Sequence, residues 1–148
     1  MKSFLFPLQR VLDWRGIQLR TEEEKLAGLQ QTLAALMDRE KSLTESGSKA
    51  ELALLKLPLL EGSDLCALAA FKLRIKRESA TLKAQRAQCE SKIAEQIKRL
   101  LKARKDCRVL EQLKEKRFKA WLYLGDREVE ETAAESYISN WLRSNTEA

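Results

Sequence analysis

The groups in this sequence that could do chemistry are few and poorly spaced for it. Glu22-Glu23-Glu24 is the densest run of carboxylates. Consecutive residues on a helix point about 100° apart, so the three do not converge as an acid–base pair. Glu128, Glu130, Glu131 and Glu135 are like charges on what reads as an exposed terminal helix. The absence of histidine removes the usual general base and the commonest metal ligand. Cys66, Cys89 and Cys107 form no metal-like cluster, and an odd number of thiols on helical spacing fits reduced cysteines in the cytosol. The sequence holds no Gly-x-x-x-x-Gly-Lys-Ser/Thr loop, no Gly-x-Gly-x-x-Gly and no Cys-x-x-Cys. The expectation is a non-enzyme with no catalytic residue, no cofactor and no metal.

The elements that would position any other kind of site are helices. From Leu8, 3-4 spacing reads Leu8, Leu12, Arg15, Leu19, Glu22, Leu26, Leu29, Leu33, Leu36, Glu40 and Leu43, of which eight are leucine. A second stripe runs through Ile75, Leu82, Cys89, Ile93, Leu100, Cys107 and Leu110 to Trp121. A repeat of 3.5 residues keeps one face toward a partner helix along a left-handed supercoil. On that stripe Cys89 and Cys107 act as small apolar fillers. Glycine (5) and proline (2) are scarce and charged residues make up 34%, the profile of long helices around a thin seam.

The single interruption is Leu57-Pro58-Leu59-Leu60-Glu61-Gly62-Ser63-Asp64. Pro58 ends the first helix, because the residue before a proline is pushed out of the α region. Ser63 or Asp64 reads as the N-cap of the second. The fold class expected is all-α, two long helices in an antiparallel coiled-coil hairpin forming a single domain over 1–148. Helix 1 is placed at about 4–56, the turn at about 57–64 and helix 2 at about 65–143, with a bend near Gly125. Ser46-Gly47-Ser48 is the stretch expected to fray. Residues whose numbers total about 121 should face each other, such as Leu8 with Leu113 and Leu26 with Gln96. A parallel dimer is the alternative and would leave Pro58 in mid-helix.

Folding the hairpin gathers Phe4, Phe6, Trp14, Phe118, Trp121, Tyr123, Tyr137 and Trp141 at the end carrying both termini, leaving Phe71 near the turn. Such rings either clamp the open end of the hairpin or anchor it into another protein, where buried Trp and Tyr are favoured. Residues 72–119 carry 17 Lys/Arg against 6 Asp/Glu, a net +11, whereas 126–148 carry 6 acids against 2 Arg, a net −4. The basic stretch is either a solvated outer face or a docking face for an acidic partner or nucleic acid. No aromatic lies between Phe71 and Phe118 to stack on a base, which weighs against single-stranded nucleic acid. No run approaches the ~20 apolar residues of a membrane span. The short apolar run before Pro7, followed by Gln9-Arg10, lacks the cleavage site of a signal peptide.

The termini carry a family resemblance. Phe4-x-Phe6-x-Leu8-x-x-Val11-Leu12-x-x-Arg15 is similar to the opening of the flagellar FliJ proteins. Leu110-Glu111-x-Leu113 and Trp121, followed by Glu128, Glu131, Glu135 and Tyr137, resemble that family's closing segment. Length, basic charge and the two-helix layout match as well, and the stalk proteins of injectisome secretion systems are near relatives. The resemblance implies a non-enzymatic stalk and adaptor of flagellar type III protein export. It would be cytoplasmic and peripheral at the inner face of the cell membrane, at the flagellar base. The implied partners are the hexameric export ATPase, the cytoplasmic domain of the membrane export gate and the export chaperones. It implies ATPase contacts at Phe4, Phe6, Leu8, Leu12, Arg15, Trp121 and Trp141, and gate contacts at Phe71 and Ile75. A basic coiled-coil protein that binds nucleic acid is the alternative, and a homo-oligomeric spacer a third reading.

Overall fold

The computed structural model describes residues 3–146. Two helices make up nearly all of it, α1 (Gln9–Leu55) and α2 (Gly62–Thr146), and no strand occurs among the described residues. The fold is all-α, with the two long helices packed against each other as a hairpin. No helix is long and apolar enough to cross a membrane among the described residues. The chain divides into two compact units, one of Met1–Leu19 with Ala103–Ala148 and one of Arg20–Lys102. Each is built from a piece of α1 and a piece of α2.

The seam forms where the 3-4 spacing places it. All eleven predicted α1 positions from Leu8 to Leu43 are half-buried, and the pattern continues through Gly47, Ala50 and Leu54. No α1 residue is fully buried. Apart from Phe6, ahead of α1, the buried side chains are on α2: Leu82, Cys89, Gln96 and Leu100 in the Arg20–Lys102 unit, and Cys107 in the other unit. Half-burial of a leucine is worth about 1 kcal/mol, roughly half the value of full burial, so the hairpin rests on many small increments.

Ion pairs between the two helices define an antiparallel register. In the Arg20–Lys102 unit, Arg39 bridges Glu78 at 3.1 Å, Arg86 bridges Glu40 at 3.5 Å and Lys72 pairs with Glu51. In the other unit, Arg15 meets Asp106 at 3.3 Å. These pairs total about 117 to 126 in residue number, around the value of about 121 set by the turn. Partly exposed ion pairs of this kind contribute only about 0.2–1 kcal/mol each, and two of them place a charged side chain, Arg15 or Glu40, on the seam itself.

Four details depart from the sequence-based expectation. Helix 1 starts at Gln9 rather than near residue 4, because Pro7 turns the chain and holds Phe6 outside the α region. The Gln9 N–H instead donates to the Phe6 carbonyl at 3.1 Å, closing a turn before the helix. Helix 2 starts at Gly62, not about 65, and neither Ser63 nor Asp64 is its N-cap. Glu61 occupies that place, and its backbone N–H donates to Asp64 Oδ2 at 3.2 Å, the reach-back half of a capping box. The Ser46-Gly47-Ser48 stretch does not fray. The hydroxyls of Thr44, Ser46 and Ser48 donate to carbonyls four residues back, and α1 runs unbroken to Leu55. α2 likewise passes through Gly125 without interruption.

Gly28 and Gly47 differ in what surrounds them. A Cβ at Gly28 would meet nothing within 4 Å, whereas one at Gly47 would lie 3.3 Å from Ile75 Cδ1. Gly28→Ala should therefore raise the unfolding free energy by about 0.5–1 kcal/mol, seen as a higher denaturant midpoint. Gly47→Ala should give a smaller gain, since the Ile75 tip must shift to admit the methyl group. A midpoint unchanged or lowered in Gly28→Ala would contradict this.

Candidate functional site

The proline turn that delays α1 also frees residues 3–8 to cross onto α2. Phe4 packs its ring edge-on to Phe118, with centroids 5.2 Å apart and planes at 75°. It also sits 5.9 Å from the Trp121 ring, while Phe118 and Trp121 stack at 5.8 Å and 22°. Each such ring pair adds about 0.5–1.5 kcal/mol beyond its buried area. Phe6 is buried, and the Arg117 guanidinium lies over its face at 5.9 Å from the centroid. Phe118 was absent from the implied contacts, although three-residue spacing to Trp121 places both on one helix face.

Leu8 and Leu12 continue from this cluster along the half-buried stripe of α1. Arg15 ends it. Its guanidinium holds Asp106 Oδ2 at 3.3 Å, donates to Gln18 Oε1 at 3.2 Å and lies 5.0 Å from the Trp14 ring centroid. Phe4, Phe6, Leu8, Leu12, Arg15 and Trp121 thus lie in one unit, with Phe4, Phe6 and Trp121 in or beside the ring cluster. Trp141 belongs to the same unit but stands apart from the cluster. It stands twenty residues beyond Trp121, about 30 Å along α2, and is exposed.

Phe71 and Ile75 belong to the unit of Arg20–Lys102. They are one turn apart on α2. Phe71 is 37% exposed, whereas Ile75 is half-buried with its Cδ1 turned toward Gly47. An aromatic ring with that much free surface beside a packed aliphatic neighbour can offer a small docking point.

Stripe counting by leucine passes over one polar site. Gln96 is 5% exposed and lies seven residues beyond Cys89, squarely on the seam. Its amide donates to the Glu22 backbone carbonyl at 3.1 Å and to the Glu22 carboxylate. The Lys25 ammonium adds a contact to the same carboxylate at 3.1 Å. The Gln96 amide first, then Lys25, hold the Glu22 carboxyl below the ordinary carboxylate range. A single polar pair in a coiled-coil seam fixes register at some cost in stability. A glutamate and a glutamine both falling on seam positions was the available signal.

Along the Arg20–Lys102 unit, a shallow groove of about 250 Å³ runs between Leu29, Leu36, Gln85 and Cys89, with Lys92 at its edge. Burial raises the Cys107 thiol above its usual range and the neighbouring Glu111 carboxylate adds to this, so Cys107 is a packed neutral thiol. No group of three or more His, Cys, Asp or Glu side chains able to hold a metal ion occurs among the described residues.

Comparison of the chain with protein-family models, with curated proteins and with solved structures finds no match.

The Glu22 contact has a titration signature. A carboxylate whose folded pKa is depressed adds stability above its unfolded value and loses it as pH falls through the folded one. Gln96→Leu should move the Glu22 carboxyl resonance titration upward, toward the ordinary value of about 4.5. It should also flatten the loss of stability below that pH. A Glu22 titration left in place by the substitution would show that Gln96 does not set it.

Proposed function

We propose that this chain is a non-enzymatic stalk and adaptor of flagellar type III protein export. In this reading it binds the hexameric export ATPase and the membrane export gate and assists the export chaperones. The observation that carries the reading is a coincidence of sequence and packing. Phe4, Phe6 and Trp121, which belong to the segments that resemble the FliJ opening and closing, are also packed in the terminal aromatic cluster, where Phe118 joins them. A hairpin whose termini are clamped by large rings presents a preformed aromatic surface, the kind of surface that dominates binding energy at protein interfaces.

The ATPase would engage this cluster together with Leu8, Leu12, Arg15 and Trp141. The gate would engage Phe71 and Ile75, where Phe71 keeps exposed ring surface. ATP hydrolysis would belong to the ring, with the hairpin acting as a shaped insert. Exposed lysines and arginines of the stretch 72–119, such as Lys76, Lys83, Lys98 and Lys105, would give fast, salt-sensitive association with acidic faces of either partner.

The same basic stretch favours a second reading, a coiled-coil protein that binds duplex nucleic acid through phosphate contacts. Its signature is a linear fall of log affinity with log salt, with a slope reporting several neutralised phosphates.

Adding the chain to purified flagellar export ATPase at modest salt should promote ring assembly and raise the rate of ATP hydrolysis. No binding and no change in turnover would sink the export reading. Trp121→Ala should weaken ATPase binding about tenfold or more, the loss typical of a Trp anchor, while leaving gate binding intact. Phe71→Ala should do the reverse. If both substitutions weaken the same partner equally, the two assigned contact regions are wrong.

A further inference from the structure

Every residue from Asp126 to Asn145 is exposed, including Tyr137 at 72% and Trp141 at 54%. These side chains have a regular placement. Val109, Lys116, Tyr123, Glu130 and Tyr137 follow one another at intervals of seven along α2, all exposed and all in one packing unit. Lys116 is about 180° round the helix from buried Cys107, so this line runs along the side opposite the seam. Lys105 and Trp141 extend it by four residues at either end.

The line is self-complementary about its middle residue. Counting outward from Tyr123, Lys116 answers Glu130, Val109 answers Tyr137, and Lys105 answers Trp141. We propose that this face docks a second copy of the chain, α2 against α2 and antiparallel, about a twofold axis at Tyr123. Each Lys116 then meets the other copy's Glu130, twice per dimer. Val109 packs on the other copy's Tyr137, and Lys105 lies over its Trp141 ring. Such a contact is isologous, the same surface from both copies, and it closes at two. A parallel pairing is disfavoured by the same residues, since it would set lysine on lysine and glutamate on glutamate. A slight left-handed coil keeps seven-residue spacing in contact along the line. The inference does not depend on the export reading.

The test is sedimentation of the full chain at low salt over a range of concentrations. A reversible dimer is expected. K116E or E130K alone places like charges across the axis twice and should raise the dimer dissociation constant about tenfold or more. K116E/E130K restores opposite charges and the native net charge, and should return the constant to within about threefold of native. Helical content by circular dichroism should be unchanged in all three, as the substituted side chains are exposed. A chain that stays monomeric up to about 1 mM would overturn the proposal, because even a weak interface of this kind should associate there. So would single variants that dimerise as the native chain does, or a double variant no better than the singles.

Discussion

Everything in this protein depends on a seam one side chain wide. Each helix has a single neighbour, so no residue can be enclosed from all directions, and α1 has no fully buried residue at all. Burial is deepest on the α2 side of the seam, at Leu82, Cys89, Gln96, Leu100 and Cys107, which the half-buried α1 leucines cover. The scarcity of glycine and proline follows from the same constraint. With so little area buried per residue, the helices must be close to self-supporting.

A seam of repeated leucines is ambiguous, because sliding one helix by a full heptad leaves an almost equivalent interface. The polar insertions remove that ambiguity. Gln96 against Glu22 lies within one packing unit, and Arg15 against Asp106 within the other. A slipped register would leave the Gln96 amide buried without an acceptor, at a cost of about 1–3 kcal/mol. Each unit therefore carries its own register mark, and neither borrows it from the other.

The helices, the single turn and the half-buried stripe were legible in the sequence because they depend on periodicity alone. Their ends were not, because ends are decided by local hydrogen bonding. Pro7 reads as part of a first helical turn, whereas it lies just ahead of α1, in the turn closed by the Gln9 N–H on the Phe6 carbonyl. Glu61 is a poor cap by composition, and it serves because Asp64 reaches back to its N–H. The turn count sets Gln96 opposite Leu26, whereas its amide bonds to Glu22, one turn earlier, because hydrogen bonding and not apolar spacing decides its partner. Of the candidate site, the gathering of aromatics at the termini was readable from the fold-back. The stacking of Phe4, Phe118 and Trp121 was not, since it depends on the path residues 3–8 take ahead of α1.

The three thiols divide by environment in a useful way. Cys66 is exposed just after the turn, whereas Cys89 and Cys107 are buried, one in each packing unit. A thiol reagent can react with Cys66 in the closed protein but must wait for local opening to reach the other two. The chain thus carries one attachment point for a probe and two internal clocks. The modification rate of Cys89 times the opening of one unit and that of Cys107 the opening of the other. Cooperative or independent unzipping of the two units can be read from a single time course, without introducing any new residue.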